Sequence, residues 1–320
     1  MTGQRVTVEA PARLHFGMLD LRGERGRRFG GLGAAVPSPS ISLEARRDSA
    51  FSAEGPDAER ALEFARRFAQ FHGLVDGCDL RIHRAIPPHA GLGSGTQLAL
   101  SVGRALAELY QLDPAPAGLA VAMGRGRRSA IGTWIFEHGG LVVEGGRRPG
   151  SSALAPLIAR VPMPDQWRCI IAVPEGQPGL SGEAEAAAFE RLPLPEEREV
   201  ERVAHVVLMQ LLPALVDHDL LAFGSALTEI QEVTGAWFGP AQGGAFARGN
   251  PDELVRRLRE WGAAGVGQSS WGPAVYGIVE GSGASADLAR RARQLLGDRG
   301  LVVETGFANH GARVVTLPQD

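Results

Sequence analysis

The chain has 320 residues, 44% hydrophobic and 22% charged, with a net charge of −3 at pH 7. That is ordinary globular material, long enough for two domains sharing one or two large cores. The slight negative charge and the 6% aromatic content argue against nucleic acid as a partner. No apolar run reaches the ~18 residues of a membrane span.

Taken in order, Val6 and Val8 begin a strand that runs into Ala10-Pro11-Ala12-Arg13-Leu14-His15-Phe16-Gly17-Met18-Leu19-Asp20. No apolar signal region precedes it, and a cytoplasmic protein is expected. A loop dense in glycine and arginine follows over 23–33, then a strand around Ile41 and Leu43. The spacing predicts a helix over 57–72, with Leu62, Ala65, Phe68 and Ala69 on one face. Leu80, Ile82 and Ile86 have the period of a half-buried strand, and Leu98, Val102, Ala105, Leu106 and Leu109 that of a helix.

Between that strand and helix lies Pro87-Pro88-His89-Ala90-Gly91-Leu92-Gly93-Ser94-Gly95-Thr96-Gln97. Glycines let the backbone approach a ligand without a Cβ in the way. Ser94 and Thr96 add hydroxyls beside free N–H groups at a helix N-terminus, where anions are favoured. No lysine follows the last glycine, so this is not a Walker loop. The whole chain has no lysine; all 33 basic residues are arginine. Schiff-base chemistry is therefore excluded, and phosphate recognition rests on arginine and backbone N–H.

A short helix is expected over 114–124, then Gly124-Arg125-Gly126-Arg127-Arg128-Ser129, then an apolar run to Gly139-Gly140 and a strand at 141–143. Proline and glycine gather over 147–166, and a domain boundary is placed there, giving domains 1–155 and 156–320. The second half reads as a buried strand at 169–173 and helices over 196–216, 219–233 and 251–262. A small-residue loop, Gly265 to Pro273, follows. A strand at 274–279, a helix over 284–296 and strands at 301–305 and 312–317 end the chain. This order fits an α+β sandwich. Cys78 and Cys169 lie far apart near strands and read as reduced core residues. No His, Cys, Asp or Glu spacing resembles a zinc site.

Two arginine clusters (Arg25, Arg27 and Arg28; Arg125, Arg127 and Arg128), together with Arg13 and the glycine loop, suggest one polyanionic ligand. Asp20 reads as a cap, a metal ligand or an acid–base group. His15 and His89 flank the glycine segments, as ligand contacts or as satisfied polar residues. Trp271 reads as a core residue or as the wall of an aromatic site.

The segment Pro87 to Thr96 resembles the phosphate-binding motif of the GHMP kinase superfamily, commonly Pro-x-x-x-Gly-Leu-Gly-Ser-Ser. Ser129-Ala130-Ile131-Gly132…Gly139-Gly140 is similar to its Ser-Gly-Ile-Asp…Gly-Gly segment, and Gly265 to Gly272 resembles its C-terminal glycine motif. The resemblance implies a two-domain α+β fold: an N-terminal βα domain with the glycine loop and a C-terminal ferredoxin-like α/β sandwich. Gly132 stands where mevalonate-type members carry a catalytic Asp, so hydroxyl deprotonation has no obvious agent. Four stretches resemble the non-kinase β-ribofuranosylaminobenzene 5′-phosphate synthase branch: Arg13 to Asp20, Arg27 to Gly33, Gly124 to Ser129, and Gln268-Ser269-Ser270-Trp271-Gly272-Pro273. Phe29 departs from the Asp often found there in archaeal members.

That resemblance implies condensation of phosphoribosyl pyrophosphate with 4-hydroxybenzoate or 4-aminobenzoate. Carbon dioxide and pyrophosphate are released on the way to methanopterin, with Mg²⁺ as cofactor and a homodimer as assembly. The expected phosphate and substrate contacts are Arg13, His15, Gly91, Gly93, Ser94, Gly95, Thr96, Gln97, Arg125, Arg128, Ser129, Gln268, Ser269 and Ser270. Arg27 or Arg28 is expected on the benzoate carboxylate, and Asp20 on Mg²⁺ or in a positioning role. The alternatives are an ATP-dependent kinase on the same fold, or a non-catalytic protein binding a phosphorylated ligand or RNA.

Overall fold

The computed structural model describes residues 4–176, 179–180 and 182–318. Strands β1 (Gln4–Asp20) and β2 (Phe29–Asp48) form a long antiparallel hairpin. Along β1, Val6, Val8, Ala10, Ala12, Leu14 and Phe16 alternate into the core and are buried. From Arg13 onward the opposite face carries Arg13, His15 and Gly17.

The other elements of the first half assemble on this hairpin. They are β3 (Ser52–Glu54), α1 (Ala58–His72), β4 (Gly77–Arg84), α2 (Ser94–Leu109), α3 (Pro116–Ala122), α4 (Ile131–His138), β5 (Leu141–Glu144) and β6 (Leu157–Val161). The first sheet runs β11-β1-β2-β4-β3, with β5 joining β2 to β6. Strand β11 (Arg313–Pro318) is the last element of the chain, yet it pairs with β1. Strand β6, just beyond residue 156, also belongs to this sheet.

The second half holds β7 (Trp167–Pro174), α5 (Gly182–Arg191), α6 (Glu197–Val206), a π-helical turn (Val207–Leu211) and α7 (Leu212–Val216). After these come α8 (Leu220–Gln242), α9 (Asn250–Glu260), β8 (Gly265–Gln268), β9 (Val275–Glu280), α10 (Ser282–Leu296) and β10 (Gly300–Thr305). Its sheet is antiparallel in the order β10-β7-β9-β8. Numbered within the half, that is 4-1-3-2, the ferredoxin-like arrangement. One core runs through both halves, from Leu14 and Phe16 across to Phe223, Ile230 and Tyr276. A second cluster, including Ile170, Leu254, Leu258 and Leu288, packs around the second sheet. Among the described residues no helix is long and apolar enough to cross a membrane.

The expected helices are present, and the long pattern over 196–216 is broken by the π-helical turn. Several stretches differ from expectation. Helices α4 and α5 and strands β3 and β6 were not expected, β2 begins at Phe29 within the expected loop of 23–33, and Gly265–Gln268 is a strand rather than a loop.

Candidate active site

The glycine stretch makes the turn its composition predicts. Gly91 and Gly93 take positive φ, 79° and 78°, conformations that side chains rarely adopt. A Cβ on Gly91 would collide with the Ser269 carbonyl. Gly93 caps α2 by accepting from the N–H groups of Thr96 and Gln97, both at 3.0 Å. At this helix start a Cβ on Gly95 would sit 2.9 Å from an Nη of Arg60 and 3.6 Å from one of Arg125. Two guanidinium groups thus meet over the first turn of α2, where the helix dipole also favours an anion. Burial pulls the Arg125 pKa down to about 10, and repulsion from Arg60, Arg67 and Arg127 adds to the shift. The group stays cationic at neutral pH, beside Phe64, whose ring centre is 4.8 Å away. The sequence pattern pointed to Arg125 but not to Arg60, which sits on α1 with no motif around it.

Arg13 couples this loop to a second feature. Its Nη1 donates to the Gly91 carbonyl at 2.6 Å, and burial pulls its pKa down to about 10, opposed by the charge of Glu185. Arg13 also lines a cavity between β1 and α8. His15, two residues on and on the same face of β1, lines it as well. Burial first, and Arg13 second, push the imidazole pKa down to about 3, so His15 is neutral.

The far wall is aromatic. Phe189 packs edge-on against Phe29 and Trp271, each with centroids at 5.6 Å, and Phe238 packs on Trp271 at 4.9 Å. Arg128 and Glu185 form an ion pair at the cavity, and the Trp271 indole N–H donates to Glu185 at 3.2 Å. The cavity thus has aromatic walls, with Arg13, Arg128 and the Glu185 carboxylate as its charged lining, a surface suited to a small aromatic ligand with a polar group. Glu185 and Phe189 sit four residues apart on one face of α5, while Thr234 and Phe238 do the same on α8. Sequence reading missed all four, and the only signal was that spacing.

Of the expected contacts, Arg13, His15, Arg128, Ser129 and Ser270 line the cavity, and Gly91 to Thr96 with Arg125 form the helix-terminal site. The other expected residues are engaged within the protein, Asp20 in the capping role that the sequence allowed. Asp20 caps a turn: its Oδ1 accepts from the N–H groups of Arg22 at 2.7 Å and Gly23 at 2.9 Å. Arg27 and Arg28 do not reach the aromatic cavity; they donate to the carbonyls of Gly146 at 2.9 Å and Leu21 at 2.8 Å. Gln97 is fully buried, donating to the Gly132 carbonyl at 2.9 Å. The Ser269 hydroxyl is committed to structure, donating to Gly91 O at 2.6 Å and accepting from His15 N at 2.9 Å. Gln268 forms wall rather than ligand contact, its amide tied to Gln242, Ser270 and Ala247.

Among the described residues no three His, Cys, Asp or Glu side chains converge as a metal site, and Asp20 spends its Oδ1 on the turn. Gly132 faces Thr96, and a Cβ there would lie 3.0 Å from the Thr96 methyl. A carboxylate at the kinase-base position has little room.

Comparison with known proteins agrees with this geometry. Residues 58–139 match the GHMP kinases N terminal domain, and 211–298 match the GHMP kinases C terminal domain. The beta-ribofuranosylphenol 5′-phosphate synthase of Methanothermobacter thermautotrophicus is 36% identical, covering 96% of this chain and 98% of the relative. The enzyme of the same name from Archaeoglobus fulgidus is also 36% identical, with the same coverage. Among solved structures, L. major mevalonate kinase in complex with R-mevalonate superposes with a TM-score of 0.70 at 16% identity, covering 95% of this chain and 96% of that one. Homoserine kinase from Cytophaga hutchinsonii gives 0.68 at 15%, covering 97% of each.

Proposed function

The chain belongs to the beta-ribofuranosylphenol 5′-phosphate synthase family, and from that premise we propose that it joins phosphoribosyl pyrophosphate to 4-hydroxybenzoate in the pathway to methanopterin. The relatives are named for a phenol, which favours 4-hydroxybenzoate over 4-aminobenzoate as the acceptor. The carrying observation is the adjacency of two unlike sites. A lysine-free glycine loop at the start of α2, crossed by Arg60 and Arg125, is joined through Arg13 to an aromatic-walled cavity that Arg128 also lines.

The chemistry balances without a base. The ribose C1–oxygen bond breaks, and its electron pair leaves with diphosphate. The ring carbon bearing the carboxylate attacks C1 with a π pair. The bond to the carboxylate then breaks, its electrons restore the ring, and carbon dioxide departs. No ring proton needs removal, so Gly132 costs this reaction nothing.

In this reading Arg60, Arg125 and the N–H groups of α2 hold the departing diphosphate. A divalent cation brought with the donor would supply further positive charge to the departing diphosphate. Removing one such preorganised donor costs about 3 kcal/mol of barrier, roughly 100-fold in rate. Arg13 and Arg128 orient the carboxylate toward the loop, and the aromatic walls keep the ring in register and exclude water. Neutral His15 offers a hydrogen bond without adding a third cation near the electron-poor C1.

The test supplies the purified protein with phosphoribosyl pyrophosphate, Mg²⁺ and carboxyl-labelled 4-hydroxybenzoate or 4-aminobenzoate, with ATP in place of the ribosyl donor in parallel. Labelled carbon dioxide equal to diphosphate, dependent on the ribosyl donor, is expected. Folded protein that releases no label with either benzoate contradicts the reading, and ATP turnover would point to a kinase instead.

A further inference from the structure

A second cleft, of about 850 Å³, opens on the other side of Phe29, between the turn after β1 and the loop after β5. Phe29 lines both this cleft and the aromatic cavity. The cleft collects Arg28, Arg127, Arg147 and Arg148. Among the described residues none of these four forms an ion pair, although Arg22, which lines the same cleft, and the nearby Arg25 do. Arg22 pairs with Glu24, and Arg25 with Glu197 and Glu201.

Arg28 and Arg147 are held in place by neutral groups, which fix geometry without cancelling charge, while Arg127 and Arg148 are exposed. The backbones of Arg28 and Arg147 exchange hydrogen bonds of 2.9 Å in both directions, locking the two loops together. Arg147 donates to the carbonyls of Arg127 and Ser151, while its Nε is buried with no acceptor. Arg28 lies over the Phe29 ring at 5.0 Å and donates to Leu21 O. Phe29 itself holds a φ of 73°, a strained conformation for an aromatic residue, at the partition between the two cavities. Arg147 also feels the buried Glu144 carboxylate, yet the cleft keeps a surplus of positive charge that a bound dianion would meet with charge-assisted hydrogen bonds.

The segment after α3 connects the sites. Arg125 reaches the start of α2, Arg127 enters this cleft, and Arg128 enters the aromatic cavity. A ligand with two separated phosphate groups and a reacting centre between them matches that division. We propose that the cleft of Arg28, Arg127, Arg147 and Arg148 binds the 5′-phosphate monoester of the ribosyl donor, while its diphosphate lies at the glycine loop. This rests on the synthase reading for the donor's identity.

The test uses the double variant Arg127→Ala/Arg148→Ala, because both side chains are exposed and Arg28 and Arg147 brace the loops. Affinities for ribose 5-phosphate and for inorganic diphosphate are measured by calorimetry on the full chain, without turnover. The variant is expected to weaken ribose 5-phosphate at least tenfold and to leave diphosphate within twofold. Arg125→Ala is expected to do the reverse. If the double variant melts early, Arg148→Ala alone is expected to weaken ribose 5-phosphate at least threefold. Undiminished ribose 5-phosphate binding in a folded variant, or no binding by the native protein, overturns the proposal. Equal loss of both ligands overturns it too, because the two phosphates would then share one site. Label release from carboxyl-labelled benzoate is scored separately. A protein that turns over but binds ribose 5-phosphate independently of Arg127 and Arg148 refutes the cleft and spares the synthase. The opposite pattern refutes the synthase and spares the cleft.

Discussion

Gly95 illustrates how a residue can be worth more to binding than to stability. It lies inside the first turn of α2, where alanine is the better helix former by up to about 1 kcal/mol. The added Cβ would meet only the flexible ends of Arg60 and Arg125. Gly95→Ala is therefore expected to unfold no earlier in denaturant than the native protein, while diphosphate affinity falls at least tenfold by calorimetry. Undiminished affinity would mean that the anion does not sit on this turn. His15 gives a pH signature. Its folded pKa of about 3 lies below the ordinary 6.5, so between those values the unfolded chain binds the extra proton. Its contribution is whole above pH 6.5 and is lost as pH falls toward 3, with a slope of at most ~1.4 kcal/mol per pH unit. His15→Gln should remove that slope when chemical denaturation is followed from pH 7 to 4. An unchanged slope would show that the imidazole is not desolvated.

At the scale of elements, the glycine loop was legible because its physics is local: φ, a helix start and hydroxyls all lie within ten residues. The aromatic slot was not, because its walls come from α5 and α8, far from β1 in sequence. Strand β8 was misread for a related reason. Gly265 and Gly267 look like loop residues, but Gly265 packs against Gly224 of α8, and a Cβ on Gly267 would strike Gln231 and Tyr276. Close packing, not turn chemistry, selects glycine there. The same principle operates where β1 meets α8. A Cβ on Gly17 would lie 2.6 Å from Cγ2 of Ile230, at a φ of 146°. Gly17→Ala should push α8 from β1, costing about 1–3 kcal/mol in urea unfolding and weakening 4-hydroxybenzoate binding more than diphosphate binding. Full stability with unaltered benzoate affinity would show that this contact does not set the slot's width. The arginine clusters were read as one site because sequence carries no direction for a long side chain. In the fold, Arg25 leaves for Glu197, Arg27 and Arg28 turn to carbonyls, and Arg125 and Arg128 serve different cavities.

Across the whole molecule, the motif order predicted the architecture, because each motif sits at a junction the fold must make. The return of β11 to pair with β1 carried no local signal, since Arg313–Pro318 reads as a strand whichever sheet it joins. That return and the continuous core bind the two halves into one body, with the glycine loop on the first half and the aromatic cavity between both. The central claim is that this shared body forms a carbon–carbon bond between ribose and ring. The most direct test is carbon-13 NMR of the product made from phosphoribosyl pyrophosphate labelled at ribose C1 and 4-hydroxybenzoate labelled at the carboxylate-bearing ring carbon. The account predicts a one-bond carbon–carbon coupling between the two labels and no carboxyl carbon in the product. A product that keeps its carboxylate, with ribose attached through oxygen and no such coupling, would contradict it.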